Sequence, residues 1–351
     1  MVGAADRHDV DEAVGTAGTA RAARFARRIV RPVLAISRAK VRRRRVFRRR
    51  WTIGLAAVVS ALLAAPSAAA QTPIPVLATP ALELQPAAGG PYFAWTEAPR
   101  AHPTRFNAYA RSEGQRRFML NARGTRGFTT GGAIDGTRLV YGQRPSTTKP
   151  GDLKLFDLMT RTRSNPPAGV NTRRNHEASG SLSGDWLLFF SETLSTSTER
   201  IVLFNLVTHE ARQLDIARGR AYVQSGSVRG GYATWIKCPR STRCNAYVYD
   251  IATRAKLRVP NPLRKSQYGA SITAAGVVYF AESRSVDCGS SLALWRYPLG
   301  GTRTKLLSLS RGYDVSDLSP LVNVNGSTTL FYDRFRCRTG ASDIFKLALA
   351  P

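Results

Sequence analysis

Residues 179–216, SGSLSGDWLLFFSETLSTSTERIVLFNLVTHEARQLDI, hold one complete unit of the pattern that decides the fold. A run of small residues, SGSLSG (179–184), ends at a glycine and passes into an aromatic segment, GDWLLFFS (184–191). After a polar loop comes RIVLFNLVTHE (200–210), then a short last segment, ARQLDI (211–216). The third segment alternates bulky with smaller or polar side chains at period two and ends in Asn-x-x-Thr, the mark of a strand entering a tight hairpin.

The unit recurs along the chain. Gly-bounded aromatic segments begin at GGPYFAW (89–95), DGTRLVYG (135–142), GDWLLFFS (184–191), GGYATWIK (230–237), AGVVYFAE (275–282) and NGSTTLFYD (325–333). With Gly90, Gly136, Gly184, Gly231, Gly276 and Gly326 as markers, the spacings are 46, 48, 47, 45 and 50 residues. Such a period is the signature of a repeat architecture. Small-residue segments precede the later markers, as in QSGSVRG (224–230), GASITAAG (269–276) and SPLVNVNG (319–326). Small side chains fit strands crowded round a central channel, and aromatic ones fill the space between blades. The expected fold is therefore all-β: a six-bladed β-propeller of four-stranded antiparallel blades, near 82–127, 128–177, 178–223, 224–268, 269–318 and 319–351 plus 72–78.

Closure of the ring is the second expectation. The sixth unit ends at Pro351 just after DIFKLALA (343–350) and lacks an outer strand, while TPIPVLA (72–78) has no unit of its own. Pairing the two closes the circle, and Pro73 and Pro75 suit an edge strand, which need not donate from every N–H. The alternative is that 71–80 is a Pro-rich leader to the domain.

The turn motifs resemble those of the TolB-like and WD40-like six-bladed propeller repeats. The matching pieces are Leu182-Ser183-Gly184-Asp185 and Ile134-Asp135-Gly136 before an apolar strand, and Phe156-Asp157-Leu158-Met159-Thr160, Phe204-Asn205-Leu206-Val207-Thr208 and Tyr249-Asp250-Ile251-Ala252-Thr253 at the end of one. No copy keeps the full Ser-Pro-Asp-Gly turn or the glycine that follows the threonine. The resemblance implies an architecture and no catalytic residues, since both binders and hydrolases use this scaffold.

Residues 1–70 read as a leader with a signal peptide outside the fold. They carry 15 basic and 4 acidic side chains, with a basic region at 41–50, an apolar core at 51–65 and a small-residue tail in which Ala68 and Ala70 have cleavage-site spacing. Cleavage would make Gln71 the first residue of a secreted or extracytoplasmic protein; the alternative is a retained span at Trp51–Ala70. The whole chain has 52 Lys and Arg against 23 Asp and Glu. The part after the leader thus keeps 37 basic and 19 acidic residues by subtraction, a formal charge of +18.

Cys238, Cys244, Cys288 and Cys337 fall between the second and third strands of blades 4, 5 and 6. In an exported chain they should form disulfides, Cys238 with Cys244 and Cys288 with Cys337. The rival, a four-thiolate zinc site, has the wrong local spacing, so neither a metal nor a cofactor is expected. Among His102, His176 and His209, His209 follows Thr208 in a turn and reads as solvated, and the other two lack any motif. Ser181 and Ser227 lack the strand-turn-helix context of a nucleophile.

At the exit of each aromatic strand stand Glu97, Arg144, Glu192, Lys237, Glu282, and Asp333 with Arg334, a mixed-charge rim at one mouth of the channel. They read either as strand-end polar residues or as a ligand rim. The expected function is a non-enzymatic binding or interaction module with a protein, glycan or anionic cell-surface polymer as partner, acting as a monomer. The alternative is a glycan hydrolase or lyase using rim carboxylates, which needs two carboxyl groups across an open groove. Arg111, Arg116, Arg117, Arg123 and Arg126, and Arg161, Arg163, Arg173 and Arg174, cluster in blades 1 and 2. No nucleic-acid reading module accompanies them, and a membrane enters only through an uncleaved leader.

Overall fold

The computed structural model describes residues 72–129, 134–145, 149–240, 243–284 and 288–350. The expected leader and cleavage site, in residues 1–70, and Gln71 lie outside the described residues. Those described form a closed six-bladed β-propeller of four-stranded antiparallel blades.

From the channel outward, blade 1 is Leu82–Gly89, Tyr92–Ala98, Asn107–Ser112 and Phe118–Met119. Blade 2 is Arg126–Phe128, Arg138–Arg144, Asp152–Asp157 and Thr162–Ser164, and blade 3 is Asn175–Ser183, Trp186–Thr193, Thr198–Asn205 and Ala211–Ala217. Blade 4 is Tyr222–Arg229, Tyr232–Arg240, Arg243–Asp250 and Lys256–Arg258, and blade 5 is Ser266–Ile272, Val277–Ser283, Leu292–Pro298 and Thr304–Leu309. In blade 6 the inner strand is split into Tyr313–Asp314 and Leu318–Val322, followed by Thr328–Arg336 and Ala341–Leu349. The outer strand of blade 6 is Ile74–Leu77, antiparallel to the last strand, with Ile74 opposite Lys346 and Leu77 opposite Ile344. The first and last segments of the fold thus share one sheet.

The inner strands begin earlier than their small-residue runs, at Asn175 rather than Ser179 and at Ser266 rather than Gly269. Pairing continues toward the end of the second strand, with His176 opposite Glu192 and Gln267 opposite Glu282. The small residues mark where neighbouring inner strands touch. A Cβ on Gly226 would lie 2.5 Å from the Ala270 carbonyl oxygen of the next blade, a distance no side chain tolerates. Around it serine hydroxyls lace blade to blade. Ser181 Oγ accepts the Val228 N–H at 3.1 Å, Ser227 Oγ accepts that of Ile272 at 2.8 Å, and Ser319 Oγ accepts that of Ala88 at 3.0 Å. Ser181 and Ser227 are therefore structural bridges, consistent with their lack of a nucleophile's context.

The core lies between blades. Phe190, Ile201 and Leu203 of blade 3 pack with Val223, Val228 and Trp235 of blade 4, and Ala110 of blade 1 with Tyr141 and Phe156 of blade 2. The blade 6 to blade 1 interface joins Ile344 to Phe93 and Trp95, with Val76 and Leu77 of the closing strand against it. Ring closure is thus both hydrogen-bonded and apolar.

The Asp/Asn-x-x-Thr motifs also acquire a cause. Asp157 Oδ1 accepts the N–H groups of Met159 and Thr160 at 2.9 and 2.8 Å, Asn205 Oδ1 those of Val207 and Thr208, and Asp250 Oδ1 those of Ala252 and Thr253. Each side chain replaces a turn's missing backbone acceptor. The next residue, Arg161, His209 or Arg254, takes the left-handed conformation with φ of 57°, 60° and 62°. These are the positions where the propeller repeats that the sequence resembles carry glycine.

Candidate functional site

In an antiparallel blade, the loops from second to third strand and the connections from outer strand to next inner strand emerge at one end of the ring. The rim residues and all four cysteines lie at this end. Cys238 and Cys244 are bonded across the second and third strands of blade 4, and Cys288 is bonded to Cys337, joining blade 5 to blade 6. Both pairings match the expectation from sequence. The first two cysteines sit within the strands, which extend further than the loop assignment allowed.

The rim residues do not share one environment. Glu97, Lys237, Glu282 and Arg334 each stand two residues beyond a fully buried ring, that of Trp95, Trp235, Phe280 or Tyr332, hence on the same side of their strand. A cation from the blade's periphery meets two of these groups, Glu97 and Glu282. Arg117 stacks on Tyr109 and pairs with Glu97, which also accepts the Trp95 Nε1–H at 3.1 Å. Arg303 lies over Trp295 and donates to Glu282 Oε2 at 2.6 Å, while Lys265 Nζ is 3.7 Å from Oε1. In blade 4 the signs are reversed. Lys237 and Lys256 both pair with Asp215, which is buried in the adjoining outer strand of blade 3 and also accepts the Trp235 Nε1–H at 2.9 Å. Burial pushes the Asp215 carboxyl up, but these donors outweigh it and hold its pKa below the usual carboxylate value.

Arg144 stands on the opposite side of its strand from this series, and the residue in register is Gln143, whose Oε1 accepts the Tyr141 hydroxyl at 3.1 Å. Burial lowers the Arg144 pKa, and the attraction of Glu192 works against that shift, which couples blades 2 and 3. Asp333 is enclosed. Its carboxylate accepts the N–H groups of Gln85, Ser316 and Asp317 at 3.1, 2.7 and 3.1 Å and the Ser316 hydroxyl, so it anchors the break in the blade 6 inner strand to blade 1. Its pKa is raised by burial. Arg334 stacks on Phe345, 3.8 Å from the ring centroid. The rim carboxylates Glu97, Glu282 and Asp333 thus serve as clasps within and between blades.

His176 is buried, accepts the Gly151 N–H at 2.9 Å, and is pushed down to about 3 by burial and then by Arg144. It stays neutral in ordinary buffers. His102 is exposed at the same end, and His209 is exposed in its turn. Among the described residues, no three His, Cys, Asp or Glu side chains gather as a metal site would require.

What the sequence reading missed at this end is the placement of unpaired positive charge. Arg100 and Arg105 of blade 1, Arg123, Arg173 and Arg174, Arg218 and Arg220, Arg264 and Arg311 are all exposed on its loops and connections. Asp317, the one acidic residue in the described parts of those segments, is buried. The turns at the opposite end mix exposed Glu113, Asp185 and Glu210 with exposed Arg116, Arg161 and Arg254. The signal was available as an excess of arginine over acidic residues in alternate loops, where only Asp287 and Asp317 are acidic, and a net charge conceals it. Also missed was Arg229, the last residue of the blade 4 inner strand. Its guanidinium donates to the carbonyls of Ile134 and Ala88 at 2.8 and 3.4 Å and stands 3.8 Å from Asp135, across the channel.

No family model matches the chain, and no curated protein does. Solved structures do. The chain is similar to TolB from Acinetobacter baumannii, with 14% identity and a TM-score of 0.48 over 76% of this chain and 63% of that one. It is similar to the β-propeller domain of the Trilobed protease from Pyrococcus furiosus, at 12% identity and a TM-score of 0.46, covering 78% and 99% of the two chains. An oligogalacturonate lyase in complex with manganese matches at 10% identity and a TM-score of 0.44, covering 80% and 98%. What these proteins have in common with the chain is the propeller fold.

Proposed function

We propose that this chain is a non-enzymatic binding module of the TolB-like kind, working outside the cytoplasm as a monomer. Its partner is an anionic polymer of a cell surface, met by the end of the ring that carries the loops. The observation behind this reading is the set of exposed arginines on those loops and connections, with no exposed acidic residue among the described residues there. Surface cations concentrated on one face attract and orient a polyanion over several ångströms. Engagement of Glu97, Glu282 and Asp333 by their own arginines and backbone amides supports binding over acid–base hydrolysis. In this reading the rim holds the loops in place and the arginines above it meet the ligand. The leader and the two disulfides support export.

The test is binding of the secreted protein to acidic polysaccharides and anionic wall polymers across a salt series. Exposed charges are screened beyond about 8 Å at physiological ionic strength, so affinity should fall steadily with salt. Replacing Arg173, Arg174, Arg218 and Arg220 by Gln should weaken binding and flatten that slope. Equal binding by this variant and the unaltered protein would overturn the proposal. So would binding directed to the end bearing Glu113, Asp185 and Glu210.

A further inference from the structure

The outer strand of blade 4, Lys256–Arg258, has three residues, against seven and six in the outer strands of blades 3 and 5. Beside it a groove of about 760 Å³ opens between blades 4 and 5, lined by Arg258, Val259, Pro260, Arg264, Tyr297 and Arg303. A smaller hollow of about 210 Å³ shares Arg258, Val259 and Tyr297 and extends the groove over Leu257 and Leu299.

The three guanidinium groups have different duties. Arg303 is part of the wall: it donates to Glu282 and, at 3.0 Å, to the Pro260 carbonyl, with its face on Trp295. Arg258 donates at 2.6 Å to the neutral Asn245 Oδ1. Arg264 is exposed on a locked turn. Asn261 Nδ2 donates to the Lys265 carbonyl at 2.6 Å, Asn261 Oδ1 accepts the Lys265 N–H at 3.0 Å, and Arg264 itself has φ of 49°. Among the described residues neither Arg258 nor Arg264 is paired with a carboxylate, and Glu282 is buried and held by Arg303 and Lys265.

The groove therefore offers flat, rigid apolar surface at Tyr297 and Pro260 together with two cations whose charge is unmatched. We propose that it is the subsite for a single acidic sugar unit of an anionic glycan. The sugar ring lies on Tyr297, and its carboxylate or sulfate is taken by Arg258 and Arg264, whose planar forks suit either group. A glycan fits better than an acidic peptide strand, because Lys256 and Arg258 guard the strand edge that such a peptide would extend. This inference rests on the polyanion-binding reading above.

The experiment measures binding of the oxidised protein at 0.3 M salt to four probes: an oligoalginate, its methyl-esterified neutral form, a sulfated dextran oligosaccharide and a polyglutamate peptide. We expect one or both acidic oligosaccharides to bind, and the ester and peptide to fail. The variant R258Q/R264Q and, separately, Y297L should each lose at least tenfold, and R116Q/R161Q, exposed on turns at the opposite end of the ring, should bind like the unaltered protein. Oligoalginate without sulfated dextran would assign a carboxylate sugar, and the converse a sulfated one. Undiminished binding by the groove variants, failure of both acidic sugars, or equal binding of the peptide would each overturn the inference. A long polyanion bound at low salt would, in those cases, leave the broader reading standing; its failure to bind would remove both.

Discussion

Arg229 Nη2 donates to the carbonyl oxygen of Ile134 at 2.8 Å, although the two residues belong to blades 4 and 2 with blade 3 between them. The bond spans the channel at the end opposite the cationic loops. Burial lowers the pKa of this guanidinium while Asp135 opposes the shift. Arg229→Met keeps an unbranched apolar stem and removes the guanidinium donors, leaving the carbonyls of Ile134 and Ala88 without them. We expect a loss of about 1–3 kcal/mol in denaturant unfolding, and Arg229→Lys should recover only part, because the shorter lysine holds its ammonium back from the two carbonyls that Nη2 reaches. An unaltered midpoint in Arg229→Met would show that the bridge contributes nothing to stability.

Removal of residues 71–80 should open the ring. It takes away the strand paired with Ile344–Lys346, the Val76 and Leu77 contacts, and the Thr79 backbone and hydroxyl donors to Glu83 at 3.1 and 2.6 Å. The last strand would then be an unguarded edge. A chain beginning at Ala81 should melt well below the full domain and self-associate. The same midpoint and a single monomeric species would show closure by other contacts.

Glu83 and Glu177 are both raised from 4.5 to about 7, first by burial, and in each the Oε2 atom has no hydrogen-bond partner among the described residues. A carboxyl with a folded pKa above its unfolded one binds more protons when folded, so stability falls as pH rises from about 4.5 to 7. His176 acts oppositely: with a folded pKa of about 3 against 6.5 unfolded, it costs stability as pH drops below 6.5. Two carboxyls outweigh one imidazole between 4.5 and 6.5, so these groups place the melting maximum near pH 4.5 to 5. Glu83→Gln and Glu177→Gln should each flatten the decline toward pH 7. A melting temperature that climbs steadily from pH 5 to pH 7 would contradict this balance.

The left-handed turn residues Arg161, His209 and Arg254 carry a backbone penalty of roughly 1–2 kcal/mol each that glycine lacks. Glycine has its own cost in the unfolded chain, so His209→Gly should stabilise by a net of about 0.5–1 kcal/mol. His209 is exposed and in a turn, so thermal unfolding isolates the backbone effect. A lower midpoint would mean that its stacking on Phe204, at 6.0 Å between centroids, matters more.

The two disulfides close segments of different length, with sequence separations of 6 for Cys238–Cys244 and 49 for Cys288–Cys337. In the chain-entropy account their removal costs about 2 and about 4 kcal/mol respectively. Paired Cys→Ala variants, compared by denaturant unfolding, should fall in that order. The reverse order would place the larger contribution in the packing of the buried Cys238 and Cys244.

Much of the fold was legible because repetition exposes it. The glycine markers located the turns to within a residue: in blade 4 the left-handed position is Gly230, one before the marker Gly231. The sulfur pairings and the role of residues 72–78 followed from what each unit had or lacked. The candidate site was less legible. Spacing along the strand brought Arg144 into line with Glu97 and Glu282, whereas the pleat puts Gln143 there and turns Arg144 to the other side. A rim of charges in sequence carries no mark of which cation lies over which ring, since Arg117, Arg303 and Lys256 reach their partners from peripheral segments. Glu83 and Arg229 could have been noticed as lone charges in otherwise apolar or small-residue inner segments.

The Arg229 bridge gives the ring a floor. A side chain lying across the channel works against threading a long polymer through the disc like a bead on a string, and favours approach from the open end. Chains captured at the arginine-bearing end would be held by their sides or tips, leaving their remaining length free for a second copy of the protein to grip. Decoration of one strand by many copies then needs no contact between them.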